Sequence, residues 1–172
     1  MSDTLKASEL GPQHPRDTRF TARMRRHQSW WRATQLKVHW GTGPTAGSQT
    51  ESGSMLRRVD GEAMLNFLTP EIRAAVKKRL AEGVGVIERF RLLNNLLSSQ
   101  PMCFNLFGAL DENRELATRL LDTILPGEVA EVLKVKVEYA PEPASEYLAD
   151  STDGEVNALK TCSFIIDIDN AK

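Results

Sequence analysis

The sequence has few cysteines and no long apolar segment, which argues against a disulfide-stabilised protein and against a membrane-spanning one. Two cysteines, Cys103 and Cys162, are too few for a disulfide framework, so we expect a reduced, cytoplasmic protein. No window of about eighteen apolar residues occurs, which predicts no transmembrane helix and no membrane partner. The first residues, "MSDTLKASELGPQHPRD", have no apolar centre of the kind that a secretory signal contains.

Charge is distributed unevenly along the chain, although the formal net charge is only −1. Residues 1–50 contain eight basic and three acidic side chains, whereas residues 101–172 contain six basic and fourteen acidic ones. This asymmetry fits scattered solvated faces. It also fits a basic arm that meets phosphates together with an acidic end that meets a metal or a basic partner.

Helical patterns come first in the sequence and strand patterns follow. Residues 1–16 lack hydrophobic periodicity and predict a flexible tail, and residues 17–172 predict a single α+β domain. The helical part covers 17–126 and the strand part covers 127–172. The strand part contains two alternating segments, "EVLKVKVEY" and "CSFIIDID".

Individual elements can be predicted from capping and periodicity. In "LTPEIRAAVKKRLAEG", Thr69 caps a helix, Pro70 opens it and Gly83 ends it. A later helix from about Arg114 to Leu125 is expected to bury its larger apolar side chains, namely Leu116, Leu120, Leu121 and Ile124. The segment "GTGPTAGSQTESGS" lacks the Gly-Lys-Ser/Thr ending of a phosphate-binding loop and predicts a surface loop.

A basic helix is predicted from Asp17 or Thr18 to about Thr34, with the sequence "RFTARMRRHQSWWRATQ". Its mixture of guanidinium groups and indoles suits phosphate contacts and stacking on bases. The candidate nucleic-acid-binding residues are Arg23, Arg26, Arg32 and Trp31. The same composition also fits a solvated amphipathic helix whose tryptophans anchor it to a core.

An uncharged stretch, "LLNNLLSSQPMCFNLFGAL", holds an unusual density of amides and hydroxyls. Because the residue before proline avoids helical angles, Gln100 marks a helix break before Pro101. We expect a helix–turn–helix elbow with a polar network, whose members are Asn94, Asn95, Ser98, Ser99, Gln100 and Asn105. The network either fixes the geometry of the elbow or forms part of a site.

The segment "NNLLSSQPMCFNLFG" resembles the signature of a family of bacterial restriction endonucleases in the PD-(D/E)XK nuclease superfamily. The resemblance continues in "RFTARMRRHQSWWR", "NFLTPEI" and "LATRLLDTILPGEVAEVLKVKVEYAP", and covers roughly Asp17 to Pro141. It implies an N-terminal helical layer followed by a partial PD-(D/E)XK-like sheet. It also implies DNA as a partner.

The resemblance implies a magnesium site built from strand carboxylates. Glu138 matches the first-strand acid of the family, whereas Ile165 stands where the second-strand aspartate is expected. A shifted register would let Asp167 substitute as a catalytic residue, and Asp167 and Asp169 on one strand face would hold Mg²⁺. The family's Glu-x-Lys on a third strand has no counterpart in the sequence, so we expect no metal-dependent cleavage by this chain alone.

Three functions remain open at this point. The chain is a relative of DNA nucleases whose missing strand lies elsewhere or comes from a partner. Alternatively, it has lost catalysis and binds nucleic acid or a protein, such as a component of a host defence complex. A structural assembly subunit is the third. An unfinished sheet edge would favour pairing with another chain, including a second copy in a homodimer.

Overall fold

The computed structural model describes residues 6–44, 50–83, 87–137 and 164–170. The chain divides into two compact units. Unit 1 comprises Met1–Asn66 with Glu88–Pro101, and unit 2 comprises Phe67–Ile87 with Met102–Lys172. Helices and small antiparallel sheets occur together, which confirms the α+β class. A single domain over 17–172 stays a prediction.

Unit 1 combines short helices with a two-stranded antiparallel sheet. Thr18 caps the basic helix, because its hydroxyl accepts a hydrogen bond from the Thr21 N–H at 3.2 Å. The elements are α1 (Ala7–Leu10), α2 (Arg19–Trp31), a π-helix (Arg32–Leu36), β1 (Trp40–Thr42), β2 (Glu51–Leu56), α3 (Arg58–Glu62) and α5 (Arg89–Asn94).

Two parts of unit 1 differ from the sequence prediction. The small polar segment predicted as a loop contributes β1 and β2, with Gly41 opposite Ser52. Residues 6–16, predicted as part of a flexible tail, pack against the unit instead. Leu10 is buried, and the Pro12 carbonyl accepts a hydrogen bond from the Gly53 N–H at 2.8 Å. These contacts join residues far apart in sequence, so local patterns do not reveal them.

Unit 2 holds the longer helices and the second sheet. Its elements are α4 (Pro70–Glu82), α7 (Arg114–Ile124), β3 (Val129–Val137) and β4 (Phe164–Asn170), and most of α6 (Ser99–Glu112). The predicted caps of α4 are confirmed: the Thr69 hydroxyl accepts from the Ile72 N–H at 3.3 Å, and Gly83 is left-handed at φ 64°. Among the described residues, no helix has the length and hydrophobicity of a membrane span.

The core of unit 2 lies between its helices and the antiparallel β3–β4 pair. Buried residues from α6, α7 and β3 form one cluster, against which Ile166 and Ile168 of β4 pack. It comprises Leu110, Ala117, Val129, Val132 and Val135. The buried Phe67 and Phe104 rings meet edge to face with centroids 6.4 Å apart, and Cys103 is also fully buried.

The buried face of α7 differs from the prediction. The helix meets β3 through Ala117, which is fully buried, whereas Leu116, Leu120 and Ile124 are exposed. A small residue at the contact lets the helix backbone come close to the strand, and this turns the larger side chains toward solvent. The predicted apolar stripe was therefore wrong in orientation for these three residues.

Candidate functional site

The exposed face of α2 is a basic stripe that we define by Arg19, Arg23, Arg26, His27 and Trp30. Their spacing places all five on one side of the helix, because residues three, four, seven and eight positions apart share a face. All five are exposed. The helix contains no acidic residue, so nothing on α2 itself neutralises the arginines. The stripe presents an uncompensated positive surface.

An aromatic pair lies within the basic stripe. The His27 and Trp30 rings stack with centroids 5.8 Å apart and an angle of 24° between their planes. Trp31, the predicted base-stacking residue, is half-buried, whereas Trp30 is exposed. Helical spacing alone does not separate the two indoles, because Trp30 follows Arg23 by seven positions and Trp31 follows it by eight.

Arg32 has a structural position that corrects its predicted role. Only 2% of its surface is exposed, and burial lowers the pKa of its guanidinium below the ordinary value. Its N–H groups donate to backbone carbonyls of four residues, namely Glu9, Leu10, Val38 and Gly53. A guanidinium committed in this way cannot contact a phosphate. It fixes α2 to the N-terminal segment and to β2.

Arg25 also points away from the basic stripe. Its Nε donates to the Asp17 carboxylate at 2.6 Å, and its Nη1 donates to the hydroxyls of Ser52 and Ser54. The hydrogen bond from Arg25 holds the pKa of Asp17 below its usual value. The inner face of α2 is thus held by two arginines, which leaves the outer arginines available to a ligand.

The signature residues make hydrogen bonds in both units. In unit 1 the Asn95 side-chain oxygen accepts from the Leu97 N–H at 3.0 Å, and the N–H of Gln100 donates to the Ser98 hydroxyl at 3.3 Å. In unit 2 the Asn105 side-chain oxygen accepts from the Leu68 N–H at 3.1 Å. Ser99 is half-buried at the start of α6. Each bond supports a turn or a helix end.

Asn94, a predicted member of the elbow network, is buried, whereas the neighbouring Asn95 is half-buried. Its Nδ2 donates to the carbonyls of Leu56 and Arg57 at 3.3 and 2.9 Å. Gly61 lies so close that an added Cβ would fall 2.3 Å from that nitrogen. The sequence shows two adjacent amides, Asn94 and Asn95, but it does not indicate which of them faces the interior.

The predicted metal ligands lie on β4 of unit 2. Asp167 and Asp169 are both exposed, and they alternate with Ile166 and Ile168, which pack on the core. In the strand register Asp167 lies opposite Lys134, and Asp169 lies opposite Glu131. Glu138, the predicted first-strand acid, lies outside the described residues.

The strand face offers two carboxylates to a hard cation and little more. Mg²⁺ prefers oxygen ligands, and it is commonly bound by one or two protein carboxylates together with waters and substrate phosphates. Asp167 and Asp169 are of the right chemistry. Among the residues that the structure describes, however, no three His, Cys, Asp or Glu side chains converge on a potential metal position.

Several backbone groups of β3 are already bonded to side chains. Arg114 Nη1 donates to the Leu133 carbonyl at 3.2 Å, and Arg79 Nε donates to the Val137 carbonyl at 3.3 Å. The Val132 N–H donates to the Thr118 hydroxyl at 2.9 Å. An incoming strand that used these groups would have to displace all three side chains.

A comparison with protein-family models places these features in a known group. The model described as the PD-(D/E)XK nuclease superfamily matches residues 15–157, which is well over half of the 172-residue chain. The matched range includes the basic stripe and the signature segment, whereas Asp167 and Asp169 follow it. Comparisons with curated proteins and with solved structures gave no match. The chain belongs to the PD-(D/E)XK nuclease superfamily.

Proposed function

We propose that this chain is a restriction-endonuclease-like protein that binds DNA through the basic stripe of α2. The observation that carries the proposal is the stripe itself, in which Arg19, Arg23 and Arg26 project from a helix without acidic residues. Membership of a nuclease superfamily supports nucleic acid as the ligand. A protein partner for the same surface is the alternative.

The stripe suits contacts with the phosphate backbone. Arginine guanidinium groups donate several hydrogen bonds in a fixed fork and match the geometry of phosphate oxygens. Such contacts position a protein on nucleic acid without reading its sequence. The exposed His27–Trp30 pair adds a surface on which an unpaired base can stack. Binding is therefore expected to depend strongly on salt and weakly on sequence.

The test is fluorescence anisotropy of labelled duplex and single-stranded DNA over a salt series. Three phosphate contacts predict a log–log slope of roughly −2 to −3, from about 0.7 to 0.9 per phosphate neutralised. Replacing Arg26 by alanine should remove about one contact's share of that slope and leave folding intact. The matched control is Arg89→Ala, another exposed arginine of unit 1, which is paired with Glu62.

If the chain does not bind DNA even at low salt, the proposal of a nucleic-acid ligand is wrong, and a protein becomes the leading candidate partner. An equal loss of affinity in Arg26→Ala and Arg89→Ala would show that general charge, not the stripe, governs binding.

We further propose that Asp167 and Asp169 bind Mg²⁺ weakly, and that this chain alone does not cleave DNA. The bound cation would neutralise phosphate charge in such a site. The proposal is supported by the exposure of both carboxylates and by Ile165 at the expected aspartate position. Plasmid and single-stranded DNA should remain intact with Mg²⁺ or Mn²⁺. Cleavage that disappears in Asp167→Ala would overturn this part and establish a nuclease.

A further inference from the structure

Unit 2 contains a cationic cleft of about 540 Å³, lined by residues of α4, α6, α7 and β3. Its volume is within the range of small-molecule sites in proteins, about 300–1,000 Å³. Two acidic side chains, Glu82 and Asp111, line it. Five basic residues also line it, namely Lys78, Arg79, Arg114, Lys134 and Lys136. This excess of positive charge indicates an anionic ligand.

Both acids of the cleft are already paired with bases. Asp111 accepts a hydrogen bond from Lys78 Nζ at 3.0 Å, and Glu82 accepts one from Arg79 Nη1 at 2.9 Å. The bond to Asp111 raises the pKa of Lys78 above its ordinary value. Arg114 and Lys134 bring further positive charge to the cleft lining. Asp167, the strand neighbour of Lys134, does not line the cleft.

The two arginines of the cleft are held in place before any ligand arrives. Arg114 is fixed by its bond to the Leu133 carbonyl, and the buried Arg79 by its bond to the Val137 carbonyl. The Arg114 bond uses Nη1 alone, and a guanidinium has further N–H donors on its other nitrogens. Holding such long side chains in advance reduces the entropy lost when a ligand binds.

The remaining lining of the cleft is partly apolar. Leu133 contributes an exposed apolar side chain, and Ala75, Phe104 and Val135 contribute buried ones. A ligand that matches this site therefore joins a multiply charged oxyanion to a body with apolar surface. A phosphate monoester on a nucleoside has both properties, and its dianion suits a planar guanidinium better than a single carboxylate would.

We propose that this cleft binds the terminal phosphate of a nucleotide, supplied by the 5′-phosphorylated end of a nucleic-acid strand or by a free nucleotide. Arg114 and Lys134 contact the phosphate, and the apolar side of the cleft receives the nucleoside. This site belongs to unit 2 and does not depend on the basic stripe of α2, which belongs to unit 1.

The test uses a 3′-fluorescein tetranucleotide with either a 5′-phosphate or a 5′-hydroxyl, measured by anisotropy with the full chain. The phosphorylated form should bind at least about tenfold more tightly, because one charge-assisted contact is worth that factor. Lys134→Gln and Arg114→Gln should each reduce this preference about tenfold. The matched controls are Lys77→Gln and Arg119→Gln, which change exposed cations of unit 2 outside the cleft.

Competition with AMP and with adenosine separates the two sources of the phosphate. Displacement by AMP but not by adenosine supports the proposal with a free nucleotide as sufficient ligand. Failure of AMP, with the 5′-phosphate preference intact, supports it with a strand end as the ligand.

Equal affinity for the phosphorylated and unphosphorylated tetranucleotides would overturn the proposal. So would an unchanged preference in both cleft variants, provided that thermal melting shows them folded, or an equal loss in Lys77→Gln. The preference should also survive Arg26→Ala, which tests the basic stripe, and its loss there would likewise contradict an independent site.

Discussion

Unit 1 buries many polar side chains together with its apolar ones, whereas unit 2 buries almost only apolar side chains. Nine of the ten buried polar side chains among the described residues belong to unit 1, and Arg79 is the exception. Unit 2 instead buries mainly Val, Ile, Ala and Phe side chains. Hydrogen bonds require specific directions and distances, whereas apolar packing requires mainly volume. We therefore expect different kinds of substitution to reduce the stability of the two units.

The comparison also explains where the signature residues lie. All of the amide and hydroxyl side chains of "NNLLSSQ" belong to unit 1, where Asn94 bonds β2 and the Asn95 and Ser98 side chains each bond a nearby backbone N–H. Helix α6 begins within this stretch, and in unit 2 it contributes Cys103 and Phe104 to the apolar interior. A single uncharged stretch thus serves two kinds of core.

The largest expected effect is in unit 2. Phe104→Ala should reduce the free energy of unfolding by about 3–5 kcal/mol, because it leaves a cavity beside Phe67. Urea unfolding followed by circular dichroism measures the change. Leu106→Ala on the same helix is the control, because Leu106 is 61% exposed and should change stability by less than about 0.5 kcal/mol. Similar losses in the two variants would contradict an apolar core centred on Phe104.

The next largest effect is expected from Arg32, whose buried guanidinium bonds backbone carbonyls in unit 1. Arg32→Met keeps an apolar stem of similar length but leaves several buried carbonyls without a donor, so we expect a loss of about 3 kcal/mol. Arg32→Lys should recover only part of this loss, because one ammonium cannot reach carbonyls in four directions. All three tryptophans lie in unit 1, so tryptophan fluorescence during urea unfolding reports on that unit.

Arg26→Met is the matched control for Arg32→Met, because Arg26 lies on the exposed face of α2, directly before the π-helix that begins at Arg32. Its stability should equal that of the wild type. If Arg32→Met were as stable as Arg26→Met, apolar packing would be sufficient to hold α2 in place, and the contrast between the units would be lost.

The smallest effect concerns pH and the Asp17–Arg25 pair. Arg25 holds the folded-state pKa of Asp17 below the unfolded value, which is about 3.9. The pair's contribution is therefore present above that unfolded value and is lost as pH falls through the folded pKa. Asp17→Asn should lower the melting temperature at pH 7, and the gap to the wild type should narrow below about pH 4.

Glu115→Gln provides the control for the pH series, because Glu115 is 82% exposed and its contact with Arg119 is long, at 3.9 Å. Its melting temperature should follow the wild type throughout. A gap for Asp17→Asn that stayed constant from pH 7 to pH 3 would show that the substitution acts through shape rather than charge.

Local chemistry was sufficient to predict much of the fold. Thr69 and Gly83 mark the ends of α4 because a cap hydroxyl and a left-handed glycine act within a few residues. The alternation of β3 and β4 was visible for the same reason. β1 and β2 were not predicted, because their segment contains mainly small residues. At Gly53 an added Cβ would fall 2.1 Å from the Leu10 carbonyl, a contact that no local pattern reveals.

The candidate site was predictable only in part. Arg26 and Arg32 look equivalent in composition, yet one is exposed and the other makes hydrogen bonds in the interior. Their difference depends on which face of α2 meets β2, and that is decided by long-range contacts. The resemblance did identify the superfamily, because a dense motif carries more information than the charge of single residues. The roles of Asp167, Asp169 and Glu138 remain predictions.

The buried Cys103 provides a way to measure how fast the structure around it opens. A thiol with none of its surface exposed reacts with an alkylating reagent only when the surrounding structure opens. In a Cys162→Ser background, the labelling rate of Cys103 at high reagent concentration equals the opening rate of its surroundings. A ligand that binds the cationic cleft should lengthen that labelling time, so a single native thiol converts occupancy of the cleft into a kinetic measurement.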